Sequence, residues 1–295
     1  MIGRPSRYPL LLLAGLCLAA PALAQDAAAL RAREAALRDQ LANNHFQRPI
    51  VLESSGASGV LKGDVSAAVE RPFSTVGQAL SALEAWCDIL MLQANVKACN
   101  VRGTGSGGVL SLAITRNDEQ TLEEAHQIDF NYRVAAATPE YMAVHLGADS
   151  GPLGTKNYRI VLEAIPLDDK RSFLRLSYSY GYGVAGRVAM QTYLATSGRD
   201  KVGFTVVERR PDGTPVYVGG ERGMVERNTM RTYLAIESYL GTWGLAPAAR
   251  QERRLNDYFA AIDRYPRQLR EMGRERYLTM KRRELARQQS SPPAG

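Results

Sequence analysis

The sequence predicts an α+β protein whose body is one antiparallel sheet, and three observations carry that prediction. Apolar and polar residues alternate with period two through most of the stretch from Asp64 to Tyr182. Short segments rich in Gly, Pro, Asp and Thr separate the alternating runs, which is the turn chemistry that joins consecutive antiparallel strands. On both sides of this region, and once just inside its start, the apolar period lengthens to that of a helix.

The chain opens on a targeting pattern. Arg4 and Arg7 supply a positive region, Leu10 to Ala20 an apolar core, and Ala22–Ala24 ("ALA") a small-residue cleavage site. The apolar run is too short to span a bilayer, and no later stretch approaches about 20 apolar residues. A leader over residues 1–24 is expected, with a mature chain that begins near Gln25 and is periplasmic or secreted. Leu16 stands where a lipoprotein signal needs a small residue, so Cys17 leaves with the leader. Cys87 and Cys99 then remain, and an even count in an oxidising compartment favours a structural disulfide over free thiols.

The elements follow in order. Asp26 to Leu41, with Leu30, Leu37 and Leu41 near helical spacing, predicts an exposed or loosely docked helix within an N-terminal segment, 25–48. A Gly/Ser stretch, "ESSGASGVLKG", hands over to the first strand at Asp64 to Val69, where Val65, Ala67 and Val69 share a face. Phe73, Val76, Leu80 and Leu83 then fall on one helical face, with Pro72 suited to a first helical turn. Ala85 to Leu92 is apolar almost all round and predicts a second, buried helix. Ala94 to Val101 leads into "GTGSGG", whose glycines neither follow a clear strand nor open a helix. A hairpin connection is expected there, not a phosphate cradle.

Strands are predicted at Leu110–Thr115, Ile128–Val134, Tyr141–Ala148, Asn157–Ile165 and through "SFLRLSYSYGYG", joined as a meander by "AATPE", "DSGPLGT" and "PLDDKR". Beyond Gly183 comes a short helix carrying Val184, Val188, Tyr193 and Leu194, then a hairpin with an Asp-Gly turn. A longer helix over Gly223 to Leu240 follows. The tail from Pro247 reads as one or two charged helices interrupted at Pro266 and ending in a disordered "QQSSPPAG".

Charge is local. Between Arg250 and Arg287 twelve Lys/Arg face six Asp/Glu, so this segment holds +6 of the chain's +7. Nucleic acid is a poor partner for an exported protein. The tail therefore reads first as a solvated helical face, with contact to an anionic membrane surface as the alternative.

Strand, helix pair, six strands and helix, in that order, resemble the helix-grip domains of the START and polyketide-cyclase (SRPBCC) superfamily. The carriers are "GDVSAAVERPFSTVGQALSALEAWCDIL" and the strands through "SYSYGYG". The chain also resembles an uncharacterised family of exported proteobacterial proteins that share "WCDIL…N.K.C" and "GPLGT". The match runs from Asp64 to about Thr196 and implies a curved antiparallel sheet gripping a long helix; the helix-grip domain is expected over residues 49–243, followed by basic helices at 244–288 and a disordered tail at 289–295. It departs from the superfamily in the hairpin and helix after Lys201, and the helix Gly223–Leu240 is expected to be the gripped one.

What the resemblance implies for function is an apolar cavity that binds a lipid, sterol or aromatic molecule. Trp86, Phe130, Tyr132, Tyr178, Tyr180 and Tyr233 are the expected wall. Tyrosine, with an apolar body and polar tip, suits such a wall, although an ordinary core face would give the same alternation.

The other chemistry is thin. Cys87 and Cys99 lack C-x-x-C spacing, zinc would need further ligands, and none of the three histidines lies near them in sequence. A disulfide joining the second helix to the next strand is expected. Asp129, Asn131 and Arg133 share one strand face, as do Arg159, Val161 and Glu163; both read as the solvated side of the sheet. No catalytic motif, metal set or cofactor is indicated. The expected function is an apolar-ligand carrier. The alternatives are a cyclase or hydrolase using His145 or Glu163 with a pocket tyrosine, and an envelope assembly protein.

Overall fold

The structure, a computed structural model, describes residues 20–290 except 58, 117–118 and 197. The first nineteen residues of the expected leader, and 291–295 of the expected tail, lie outside the described residues.

Helix α1 (Ala20–Ala42) leads into strands β1 (Ile50–Ala57) and β2 (Val60–Val69). Helices α2 (Phe73–Leu80) and α3 (Leu83–Leu90) follow, then six strands: β3 (Val96–Thr104), β4 (Gly107–Ile114), β5 (His126–Ala137), β6 (Met142–Ser150), β7 (Thr155–Pro166) and β8 (Ser172–Tyr182). Helix α4 (Val184–Ala195), the short hairpin β9 (Val206–Arg209) and β10 (Pro215–Tyr217), and helices α5 (Gly220–Gly241), α6 (Pro247–Asp263) and α7 (Arg274–Ser290) complete the order.

The eight long strands form one antiparallel sheet in the order β1-β2-β8-β7-β6-β5-β4-β3. The first two strands therefore lie at one edge and β3 at the other. The pair α2–α3 carries the chain across, and the meander walks back to close β8 onto β2. Helix α5 returns over the inner face, against β1, β2, β8 and α3. This is the α+β helix grip, with added helices at both ends.

Alternation sets the faces as the sequence predicts. Val65 and Ala67 of β2, Phe130 and Tyr132 of β5, Ile160 and Leu162 of β7, and Leu174 and Leu176 of β8 are buried in one core with α2, α3 and α5. The break between α2 and α3 falls at Ser81–Ala82, and the Trp86 indole N–H donates to the Leu80 carbonyl at 3.0 Å, satisfying one end-of-helix acceptor. Cys87 of α3 and Cys99 of β3 form a disulfide with Cα atoms 5.5 Å apart.

Three expectations are corrected. The Gly/Ser stretch before Asp64 is not a mere lead-in: β1 pairs with β2 from Ile50↔Ala67 to Ala57↔Val60. Its small residues serve close approach to α5. At neighbouring Gly63 a Cβ would stand 2.3 Å from the Thr229 hydroxyl. Helix α1 is firmly docked. Its Ala27, Leu30, Leu37 and Leu41 are buried on the outer sheet face against Val51, Tyr141, Ile165 and Phe173, and its Arg33 donates to the Ser66 hydroxyl at 3.0 Å.

The third correction concerns the tail, which is not simply a solvated face. Leu255, Tyr258 and Phe259 of α6 and Tyr277 and Leu278 of α7 join the main core. Tyr277 donates to the Leu92 carbonyl at 2.7 Å, and Arg287 to that of Lys97 at 2.7 Å.

Candidate functional site: the inner face of the grip

Strands β5, β7 and β8 present a run of aromatic side chains to the inner face because Phe130, Tyr158, Tyr178 and Tyr180 all fall on the inward phase of the pleat. Tyr158 stacks on Tyr180 with centroids 5.2 Å apart, and meets Phe130 and Tyr178 edge-on at 6.1 and 6.4 Å. Tyr158 is thus the hub of the cluster. It was legible as the start of the alternation Tyr158, Ile160, Leu162, although only its outward neighbours drew attention in the sequence. Its hydroxyl donates to Thr155 at 2.8 Å.

Of the six expected wall residues, Phe130, Tyr178 and Tyr180 belong to this cluster. Trp86 is fully buried in α3. Tyr132 is buried on the same sheet face, with a hydroxyl that has no partner among the described residues. Tyr233 is buried in α5 and donates to Glu237 at 3.3 Å. Burial first, and mutual proximity second, push the Tyr178 phenol well above its ordinary pKa; burial does the same for Tyr180, so both are neutral donors.

Tyr178 differs from its surroundings. Leu176 and Tyr180 on its own face, and Ile160 opposite it on β7, are buried at 1, 4 and 2% exposure, yet Tyr178 is only half-buried.

Helix α4 adjoins this end of the sheet. It follows β8 directly and lies against the Pro152–Gly154 turn, where Leu153 holds φ +59. Gly186 and Met190 face inward, while Val184 and Val188 are 83% and 57% exposed. With Val60 and Leu153, also half exposed, they give this end of the grip an apolar rim.

The loop after α4 is held by Glu226 of α5. This fully buried carboxylate accepts from the Ser54 hydroxyl at 2.5 Å, the Phe204 and Thr205 amides at 2.5 and 2.9 Å, and the Thr205 hydroxyl at 2.6 Å. Arg227, beside it in sequence, is also buried and donates to the Val202 carbonyl at 3.4 Å. Neither residue stood out in the sequence.

The polar candidates lie elsewhere. Glu163 is on the outer face, accepting from Tyr141 at 2.8 Å and paired with Arg175 at 3.0 Å. His145 is on the same face, with Nδ1 2.7 Å from an Arg133 nitrogen; burial and then that arginine lower its pKa. Asp129 pairs with Arg102 at 3.2 Å across strands. Among the described residues no group of His, Cys, Asp and Glu is arranged to hold a metal, and no helix is long and apolar enough to cross a membrane. A surface groove of about 240 Å³ lies between α3, α6 and α7 and is lined by Asp88, Arg250 and Arg254.

No family model and no curated protein matches the chain. Among solved structures, norcoclaurine synthase from Thalictrum flavum is similar at 14% identity over 50% of this chain and 80% of its own, with a TM-score of 0.34. The Zhui aromatase/cyclase from a Streptomyces species is similar at 14% identity over 64% of this chain and 98% of its own, at 0.40. Ara h 8.0201 is similar at 12% identity over 62% and 98%, at 0.36. Likenesses of this size say nothing of function. Strand order and the position of α5 carry the fold assignment.

Proposed function

We propose that this chain is an exported carrier, periplasmic or secreted, that binds an amphipathic small molecule of the lipid class in the grip beneath α4. The observation that carries the reading is the aromatic cluster of Phe130, Tyr158, Tyr178 and Tyr180 on the inner face, in which Tyr178 stays partly exposed between buried Leu176 and Tyr180. The rim of Val60, Leu153, Val184 and Val188 fits an entrance for an apolar body. Binding would draw on apolar area removed from water, at roughly 25 cal/mol per Å², with buried phenols orienting the polar end. Likeness to the exported proteobacterial proteins with "WCDIL…N.K.C" fits a leader and a disulfide. The basic tail would favour brief contact with an anionic membrane surface.

A cyclase or hydrolase in the same pocket would need His145 or Glu163 inside it, and both stand on the outer face. The carrier reading needs no such group.

Native mass spectrometry of protein purified gently from a periplasmic extract, followed by lipid extraction, tests the proposal. A co-purifying lipid near one-to-one is expected. A bare chain mass that stays unchanged after incubation with membrane extract would overturn it in favour of an assembly role.

A further inference from the structure

Four cationic side chains are buried among the described residues: Lys97, Arg227, Arg254 and Lys281. Three of them have a carboxylate. Lys97 and Lys281 share Glu284 at 3.2 and 2.6 Å, and Arg254 pairs with Asp88 at 2.7 Å. Arg227, 2% exposed, has none within ion-pair distance among the described residues; its hydrogen bond to the Val202 carbonyl is long, at 3.4 Å. Its charged surroundings deepen the imbalance. Arg231 lies one turn along α5 and Lys201 on the adjoining loop, while Glu271, a carboxylate in its field, is taken by Arg231 at 2.5 Å and buried Glu226 is turned to the Phe204 and Thr205 amides. Lys201 turns its ammonium to the Arg270 carbonyl at 2.8 Å.

A guanidinium removed from water without a counter-charge is among the costliest arrangements in a protein interior. Here it is placed where a ligand would benefit. Tyr193 of α4, which hydrogen-bonds it, and Tyr180 of β8 both lie within its field, and Tyr178, partly exposed, has its ring centroid 5.9 Å from that of Tyr180. Burial and then Arg231 hold Arg227 below its ordinary pKa, against the raising influence of Tyr193 and Glu271.

We propose that the missing partner of Arg227 is the oxyanion headgroup of the ligand, a carboxylate or phosphate on an apolar body. The planar fork of Arg227 receives the oxygens, Tyr193 and Tyr180 offer further donors, and the apolar body runs past Tyr178. This rests on the carrier reading and names the class of molecule carried: acidic, single-headed amphiphiles.

The test titrates the full chain with oleate, oleyl phosphate, oleyl alcohol and inorganic phosphate by calorimetry, using wild type and Arg227→Met. Oleate or oleyl phosphate is expected to bind at least about tenfold tighter than the alcohol. Arg227→Met should erase that preference by weakening the acids far more than the alcohol, and melt at a higher temperature than wild type without ligand, because it removes an unpaired buried charge. Should Arg227→Met fail to fold, Arg227→Lys keeps the charge and loses the fork, and a selective loss for the acids is again expected.

Equal binding of acid and alcohol by wild type, or equal weakening of both by the variant, would overturn the headgroup site and leave the carrier reading standing. Binding of inorganic phosphate alone, dependent on Arg227, would overturn the headgroup site in favour of a free-oxyanion site. Binding of none of the four would overturn the carrier reading itself.

Discussion

Lys281 is fully buried in α7, where its ammonium donates to the Gln93 and Val96 carbonyls at 3.1 and 2.8 Å and pairs with Glu284 at 2.6 Å. Desolvation outweighs that carboxylate and pushes its pKa down to about 8. Because the folded value lies below the unfolded one, the unfolded chain binds more protons between about pH 8 and 10.5. Stability relative to Lys281→Met should therefore rise with pH across that window, by up to about 3 kcal/mol. Urea unfolding of both proteins at several pH values measures it, and a flat or falling difference would refute the assignment.

Glu226 gives a second prediction at this scale. All of its partners donate, so Glu226→Gln must turn an amide N–H₂ toward donors, at a cost of about 1–3 kcal/mol. Faster amide exchange at Phe204 and Thr205 should accompany the loss. Neither Glu226 nor Arg227 was legible in "GERGMVERNTMRT". Helix α5 is covered by the sheet on one side and by α3, α6 and the 198–218 loop on others, so its charged residues lack the polar stripe that periodicity reads.

The elements that were easiest to read are those with one wet face. Ile128, Phe130 and Tyr132 alternate with Asp129, Asn131 and Arg133, and β5 has that register. Strand β1 escaped because its Ser54, Ser55 and Gly56 carry no apolar signal; its pairing is fixed by β2 and its inner face by α5. Docking of α1 and α7 escaped for another reason. Each buries a narrow row of residues while most of its surface stays polar, and a sequence cannot say whether such a row meets the protein or water.

The link between α3 and β3 is the element whose removal should be felt most. The disulfide closes a separation of 12 residues, so replacing both cysteines by serine should cost about 3 kcal/mol in the chain-entropy view. Thermal melts with and without reductant should differ by a similar amount in wild type and not at all in the double variant. Helix α7 braces the same link through Tyr277, Lys281, Arg287 and Gln288, the last accepting from the Cys99 amide at 2.9 Å. The effect of losing the disulfide is therefore local stiffness lost around β3, not a change of fold.

For the whole molecule, the helix grip was legible through a resemblance: strand, helix pair and six-strand run in that order resemble the helix-grip domains, and the sheet order closes β8 onto β2 as that resemblance implies. Charge was legible in amount but not in disposition. Much of the tail's positive charge is engaged by acids, with Arg253–Asp257 at 2.8 Å, Arg276–Glu119 at 3.7 Å and Arg282–Glu252 at 2.5 Å, while Lys281 and Arg254 point inward. A residual surplus spread over paired, exposed side chains attracts an anionic surface only through the screened long-range field. Sedimentation with phosphatidylserine-containing vesicles should therefore be measurable at about 0.01 M salt, where the Debye length is near 30 Å, and lost at about 0.15 M, where it is near 8 Å. Retention at the higher salt would mean that the apolar rim around Val184 and Val188 inserts into the bilayer, and substituting both by serine should then abolish it.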